Sequence, residues 1–366
     1  HMNNAATAST TDSSANNRHG TTIGASASST SPVAGGFEFG GEYNVGELIY
    51  GCSSHPGASG GTSIRDVTTD TDYIYLVGTA TGTNGISNKD WHVEKRNKSD
   101  GSLVWATSTY SGPGEDIPLG VAVDDDYIYV DGQTYSACCD LNYLDAHLQK
   151  LNKSDGSLVW ATTTAFLENG PDIYQAVVSN SNYIYAVGVE DHGASQYKIR
   201  VVKIDKSTGD WVWSVLRDSY YYNTGLDIAL DSEYVYITGK IYDTYEAANE
   251  FRIYTEKLDI NNGSSVWATT TDINPTVGDE LGMAIDIDSN YIYTSGRYDV
   301  SGDVRTFMEK IEKDSGLHIW DKETDPTAFD SLDGVNADSA YVYGSGYSIS
   351  GDSFGQIYKR SLFDGS

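Results

Sequence analysis

The side chains best able to do chemistry in this chain are acidic. Of its 366 residues, 52 are Asp or Glu and only 23 are Lys or Arg, for a net charge of −29. One acidic set is periodic. Asp116, Asp172, Asn223, Glu280 and Asp330, with Thr62, occupy the same place in successive copies of a repeated unit. Oxygen donors brought together on a common axis would hold a hard cation such as Ca²⁺. The plainer reading is that each caps its own loop and recurs because the unit recurs.

A second group is aromatic. Tyr220, Tyr221 and Tyr222 are consecutive, and Tyr135, Tyr143, Tyr174, Tyr242 and Tyr245 fall at similar places in other copies. Aromatic rings beside acidic groups stack on sugar rings or form protein interfaces; otherwise they anchor loops. A third group is Lys95, Lys150, Lys203, Lys257, Lys310 and Lys359, one per copy. A lysine required by every copy is expected to serve architecture, its stem packed on a tyrosine and its ammonium paired with an acid.

Other catalytic patterns are missing. There is no HExxH, no glycine-rich phosphate loop and no convincing Ser–His–Asp order. His92 and His147 share a slot three residues before the repeated lysine, where other copies have Arg200, Tyr254, Phe307 and Gln356. That is a variable strand position rather than a metal cluster. The three cysteines, Cys52, Cys138 and Cys139, form no CxxC pair. A vicinal disulfide, a bond from Cys52 to either neighbour, and free thiols all stay open. Asn97, Asn152 and Asn262 lie in Asn-x-Ser sequons.

These groups must be positioned by the repeat. Tyr-(Ile/Val)-Tyr recurs six times, ending at Tyr75, Tyr129, Tyr185, Tyr236, Tyr293 and Tyr343, at intervals of 50 to 57 residues. A glycine follows three residues later each time, from Gly78 to Gly346. An Asp or Asn precedes the first Tyr by three residues, suiting a tight turn. A second marker runs from the repeated lysine through a Gly-containing turn to Trp, as in Asp100-Gly101-Ser102-Leu103-Val104-Trp105 and Asp155-Gly156-Ser157-Leu158-Val159-Trp160. Looser copies end at Trp213, Trp267 and Trp320.

Each unit therefore reads as four strands: a small-residue strand A, the tyrosine strand B, the lysine strand C, and a strand D ending at Trp. Tyr, Thr, Val and Ile favour such backbone. Four strands in about 50 residues is the size of a propeller blade. The expected fold is all-β, a six-bladed β-propeller of four-stranded antiparallel blades over residues 37–366. The sixth unit lacks strand D. Gly46-Glu47-Leu48-Ile49-Tyr50 matches Gly-Ser-Leu-Val-Trp and is expected to complete it, removing two exposed edges. Residues 1–36, rich in Ser, Thr, Asn, Ala and Gly, form a low-complexity extension.

The Lys…Asp-Gly-Ser-Leu-Val-Trp element resembles the tryptophan-docking repeat of quinoprotein-like (PQQ-like) propellers. The run Asp227-Ile228-Ala229-Leu230-Asp231…Tyr234-Val235-Tyr236-Ile237-Thr238-Gly239 is similar to the bacterial β-propeller repeat of secreted and surface proteins. Both resemblances imply architecture far more than activity. The quinone-binding members imply an oxidoreductase, and a vicinal disulfide beside the quinone at Cys138-Cys139. In propellers the D–A and B–C loops share the face that usually binds.

So acidic a chain repels phosphate backbones and anionic membranes, which excludes nucleic acid as a partner. No apolar run is long enough to span a bilayer. The leading expectation is an extracellular or cell-surface binding and assembly module, self-associating through its N-terminal extension. Beside it stand a carbohydrate-binding propeller with a central Ca²⁺, and an enzyme, either polysaccharide-active or quinoprotein-like.

Overall fold

The computed structural model describes residues 63–362 except 82–88, 111–113, 115, 137–142, 165–169, 194–195, 218–221, 244–249, 274–277, 301–302, 324–329 and 349–353. Gly46–Tyr50, residues 1–36, Thr62 and the three cysteines lie outside the described residues.

All regular structure is β. Blade 1 is β1 (Ser63–Thr69), β2 (Tyr73–Thr81), β3 (Lys89–Asn97) and β4 (Leu103–Tyr110). Blade 2 is β5 (Ile117–Val123), β6 (Tyr127–Ser136), β7 (Tyr143–Asn152) and β8 (Leu158–Thr164). Blade 3 is β9 (Ile173–Ser179), β10 (Tyr183–Asp191), β11 (Tyr197–Asp205) and β12 (Trp211–Arg217). Blade 4 is β13 (Thr224–Leu230), β14 (Tyr234–Asp243), β15 (Glu250–Asp259) and β16 (Ser265–Thr271). Blade 5 is β17 (Glu280–Ile287), β18 (Tyr291–Val300), β19 (Asp303–Glu312) and β20 (His318–Glu323). Blade 6 has three described strands, β21 (Asp330–Ala337), β22 (Tyr341–Ser348) and β23 (Phe354–Ser361). Each sheet is antiparallel with its strands in chain order, which is the six-bladed propeller read from the repeat. One detail differs: Trp is the third residue of β4, β8 and β12, so strand D starts just before Trp and runs past it.

Burial follows position in the blade. The second and third strands are covered on both faces by neighbouring blades, so β3 and β10 are buried along nearly their whole length. The outermost β8 and β16 alternate between exposed and half-buried residues, as strands solvated on one face do.

Register explains the sequence markers. Tyr75 pairs with Lys95, and Lys95 with Trp105. The same row recurs as Tyr129–Lys150–Trp160, Tyr185–Lys203–Trp213, Tyr236–Lys257–Trp267 and Tyr293–Lys310–Trp320. The repeated B-strand glycine faces a bulge in strand A. A Cβ on Gly239 would lie 2.1 Å from the Thr224 carbonyl oxygen, and one on Gly188 1.9 Å from that of Ile173. Backbone approaches too closely there for any side chain.

Candidate functional site

The repeated polar residues fasten one blade to the next. Lys95 Nζ donates to the carbonyl of Lys153, Lys150 to Lys206, Lys203 to Ile260 and Lys257 to Lys313, at 2.9 to 3.1 Å. Lys310 does the same to Leu362. Every acceptor lies in the C–D turn of the following blade. The same carbonyls accept Nε1–H of Trp105, Trp160, Trp213 and Trp267 at 3.2 to 3.3 Å. Each of those indoles also covers the left-handed glycine of that turn: a Cβ on Gly156, φ 73°, would come within 2.8 Å of the Trp105 ring. The lysine ammonium lies 3.6 to 4.0 Å from the centroid of the first tyrosine ring of its own blade, a cation–π contact in all six blades. The packing on tyrosine matches the expectation. The ammonium bonds a backbone carbonyl in blades 1 to 5, and that of Lys257 also lies 3.7 Å from the Asp314 carboxylate.

The turn acids are taken up by a different lysine. Asp70, Asp124 and Asp231 accept the hydroxyl of the second tyrosine of their blades at 2.8 to 3.0 Å. They also meet Lys153, Lys206 and Lys313 of the following blade at 2.6 to 2.8 Å. Burial opposes ionisation of Asp124, but Lys206, the Tyr129 hydroxyl and two backbone amides outweigh it and hold the carboxyl below its usual range. Where blade 4 offers Ile260 instead of lysine, blade 3 carries the uncharged Asn180, which donates to Tyr185.

The periodic acidic set serves its own loops. Asp116 accepts from Thr134 Oγ1 and the Tyr135 amide at 2.8 and 2.7 Å. Asp172 accepts from the Asp191 amide, Asn223 from the Tyr242 amide and Glu280 from the Ile273 amide. All four are buried. Asp330 opens β21 opposite Ser348, and its side chain lies outside the described residues. Among the described residues, no group of three or more His, Cys, Asp or Glu is placed to hold a metal ion.

A second acidic set is not evident from the repeat, because only some blades have it. Asp66 accepts the Val121 amide of the next blade, Asp227 that of Ile285 and Asp286 that of Ala337, at 2.7 to 2.8 Å. These are first-strand latches between neighbouring blades. Burial pushes Asp66 up to about 6 and Asp227 up to about 7, each opposed by two amide hydrogen bonds. Asp131 is fully buried, and burial together with the Asp66 charge raises it well above the usual carboxylate range.

Histidines act in pairs within the walls. His92 Nε2 lies 2.9 Å from Glu94, which also binds Arg96. His147 stands edge-on to Trp91 at 5.0 Å, and burial lowers it to about 4.

The aromatic expectations separate. Tyr220 and Tyr221 lie outside the described residues. Tyr174 is fully buried in the core beside Tyr129 and Val177. It sits in strand A, on a face turned inward, and does not reach the surface. Tyr135 is half-buried and its ring packs over Gly114. Tyr222 is 41% exposed and joins Tyr197, Tyr242 and Phe251 in one cluster. Tyr197 begins β11 of blade 3, while Tyr242 in β14 and Phe251 in β15 belong to blade 4. Sequence reasoning missed Tyr197 and Phe251, which are ordinary strand residues until the register places them beside Tyr222.

Tandem four-stranded blades latched by a lysine and an indole define a PQQ-type propeller repeat protein. The family model described as outer membrane protein assembly factor BamB matches residues 89–342, and the chain belongs to that family. No curated protein matches the chain. Among solved structures, the periplasmic gluconolactonase of Pseudomonas aeruginosa is 11% identical, with 86% of this chain and 91% of that one covered and a TM-score of 0.52. A europium-containing methanol dehydrogenase is 9% identical, with 83% and 79% covered and a TM-score of 0.42. At such identities the likeness concerns fold.

Proposed function

We propose that this chain is a non-catalytic binding and assembly module of the cell surface or extracellular space, which associates through its outermost strands. The supporting observation is the chemistry of those strands. β4 (LVWATSTY), β8 (LVWATTT) and β16 (SVWATTT) carry no charge and no proline, yet each is the outer edge of its sheet. Leu103, Val104, Leu158, Val159 and Val266 on them are 43 to 52% exposed. Edge strands are normally blunted by charge or proline, and an unblunted edge accepts an added strand.

The acidic body disfavours contact between copies elsewhere on the surface. Residues 1–36 contain only Asp12 and Arg18 as formally charged side chains and are of similar Ala/Ser/Thr composition. The matching family's description as an assembly factor agrees with this role.

Sedimentation velocity on the full chain tests it. The wild type is expected to form multimers at tens of micromolar, and Val104→Lys/Val159→Lys/Val266→Lys to dissociate them. A wild type that stays monomeric, or a triple variant with unchanged association, overturns the proposal.

A further inference from the structure

We infer that Tyr197, Tyr222, Tyr242 and Phe251 form a binding site for neutral saccharide chains at the junction of blades 3 and 4. This site is independent of the outer-edge association.

The four rings form one contact cluster whose exposed member is Tyr222. Tyr197 and Tyr222 lie 5.6 Å apart with planes inclined by 33°, in tilted contact. Tyr242 and Phe251 meet Tyr222 edge-on, at 6.3 Å and 69° and at 6.5 Å and 79°. They stand 5.3 Å from each other at 67°. Pyranose C–H faces stack on aromatic faces, while hydroxyls seek polar groups at the ring edges.

The cluster is held in place by its own blades. Among the described residues Tyr222 is the one non-glycine residue with positive φ, 63°. A bulky residue in the left-handed region is strained, and such conformations concentrate at functional sites. Asn223 fixes it. Its amide donates to the Tyr197 carbonyl at 2.9 Å, and its side-chain oxygen accepts from the Tyr242 amide at 2.9 Å. One residue thus ties blade 3 to blade 4 on either side of the exposed ring. The strained residue keeps its ring 41% exposed while anchoring it on Tyr197, Tyr242 and Phe251.

The rim favours sugar over a charged polymer or an apolar peptide. Asp279 Oδ1 accepts the Phe251 amide at 3.3 Å, and Lys240 Nζ lies 4.2 Å from the Phe251 ring centroid. Asp191 interacts with the Tyr197 hydroxyl. These groups, with three phenol hydroxyls, supply donors and acceptors around the exposed Tyr222 ring, the combination that hydroxylated rings require. Asp191, Asp279 and the net charge of −29 repel uronate and sialate chains.

Affinity electrophoresis of the full chain in gels containing β-glucan, xyloglucan, mannan or xylan, with polygalacturonate as the anionic control, tests the site. At least one neutral polymer is expected to retard the protein, and polygalacturonate is not. Tyr222→Gly keeps the left-handed backbone and removes the ring. It should weaken binding to the retarding polymer at least tenfold by calorimetry with its hexasaccharide, with an unchanged melting temperature. Tyr242→Ala should weaken it similarly. No retardation by any neutral polymer, preference for polygalacturonate, or undiminished binding by Tyr222→Gly overturns the inference. Retention of the triple edge variant by the same polymer keeps this outcome separate from that of assembly.

Discussion

Lys206 Nζ of blade 3 lies 2.6 Å from Asp124 Oδ2 of blade 2, although 82 residues separate them in the chain. The Tyr129 hydroxyl donates to the same oxygen at 2.8 Å, and the Lys206 carbonyl accepts both Lys150 and Trp160. One turn residue thus serves its neighbour with its backbone and its side chain. A double-mutant cycle of Asp124→Asn and Lys206→Met, followed by urea unfolding, should give a coupling of about 1 kcal/mol, reduced from a buried pair's value by partial exposure. Additive effects would mean that the pair is not an interaction in solution.

Gly239 faces the Thr224 carbonyl with no room for a methyl group. Gly239→Ala should cost about 3 kcal/mol or more, because backbone rather than a flexible side chain must move. Gly334→Ala is the control, since there the nearest atom is the movable Ser345 hydroxyl; it should cost much less. Equal losses would remove the bulge as the reason for the repeated glycine.

The tyrosine, glycine, lysine and tryptophan markers recur in all or nearly all copies, so blade number and strand order were legible in the chain. The partners of the lysine and tryptophan were not, because both bond the following blade and that blade's contribution is a backbone carbonyl with no residue signature. Asp66, Asp227 and Asp286 escaped notice because only three blades carry such latches. Tyr174 looked like a loop aromatic from its distance to the turn, yet it lies in strand A and faces inward. The cluster around Tyr222 depends on three strands whose register no local pattern reveals.

Stability should peak in mild acid. Asp66 and Asp227 are raised by burial to about 6 and about 7. Asp66 faces the amides of Val67 and Val121, and Asp227 faces those of Ile228 and Ile285. Asp66, Asp131, Asp227 and Asp286 also repel one another across the interior. Folded carboxyls with raised values hold their protons where unfolded ones have lost them. Their contribution is therefore complete below about pH 4 and disappears as pH rises through 6 to 7. Asp70, Asp124 and Asp231 are held low despite burial, by their lysines, tyrosines and amides, so their contribution is lost as pH falls below about 4. Scanning calorimetry from pH 3 to 8 should show the highest melting temperature near pH 4 to 5. Asp227→Asn should flatten the decline towards pH 8. A maximum above pH 7 would contradict these assignments.

The claim on which the rest depends is that the repeated lysine is a fastening between blades. Lys203 tests it most directly, because its seam has Asn180 and Ile260 in place of the ion pair, and its ammonium meets the Tyr183 and Tyr185 rings and the Ile260 carbonyl. Calorimetry of Lys203→Met should show a loss of about 2 to 4 kcal/mol, or roughly 4 to 8 °C in melting temperature, with the aromatic cluster around Tyr222 still able to bind. An unchanged melting temperature together with lost binding would show that this lysine serves a ligand and not the ring.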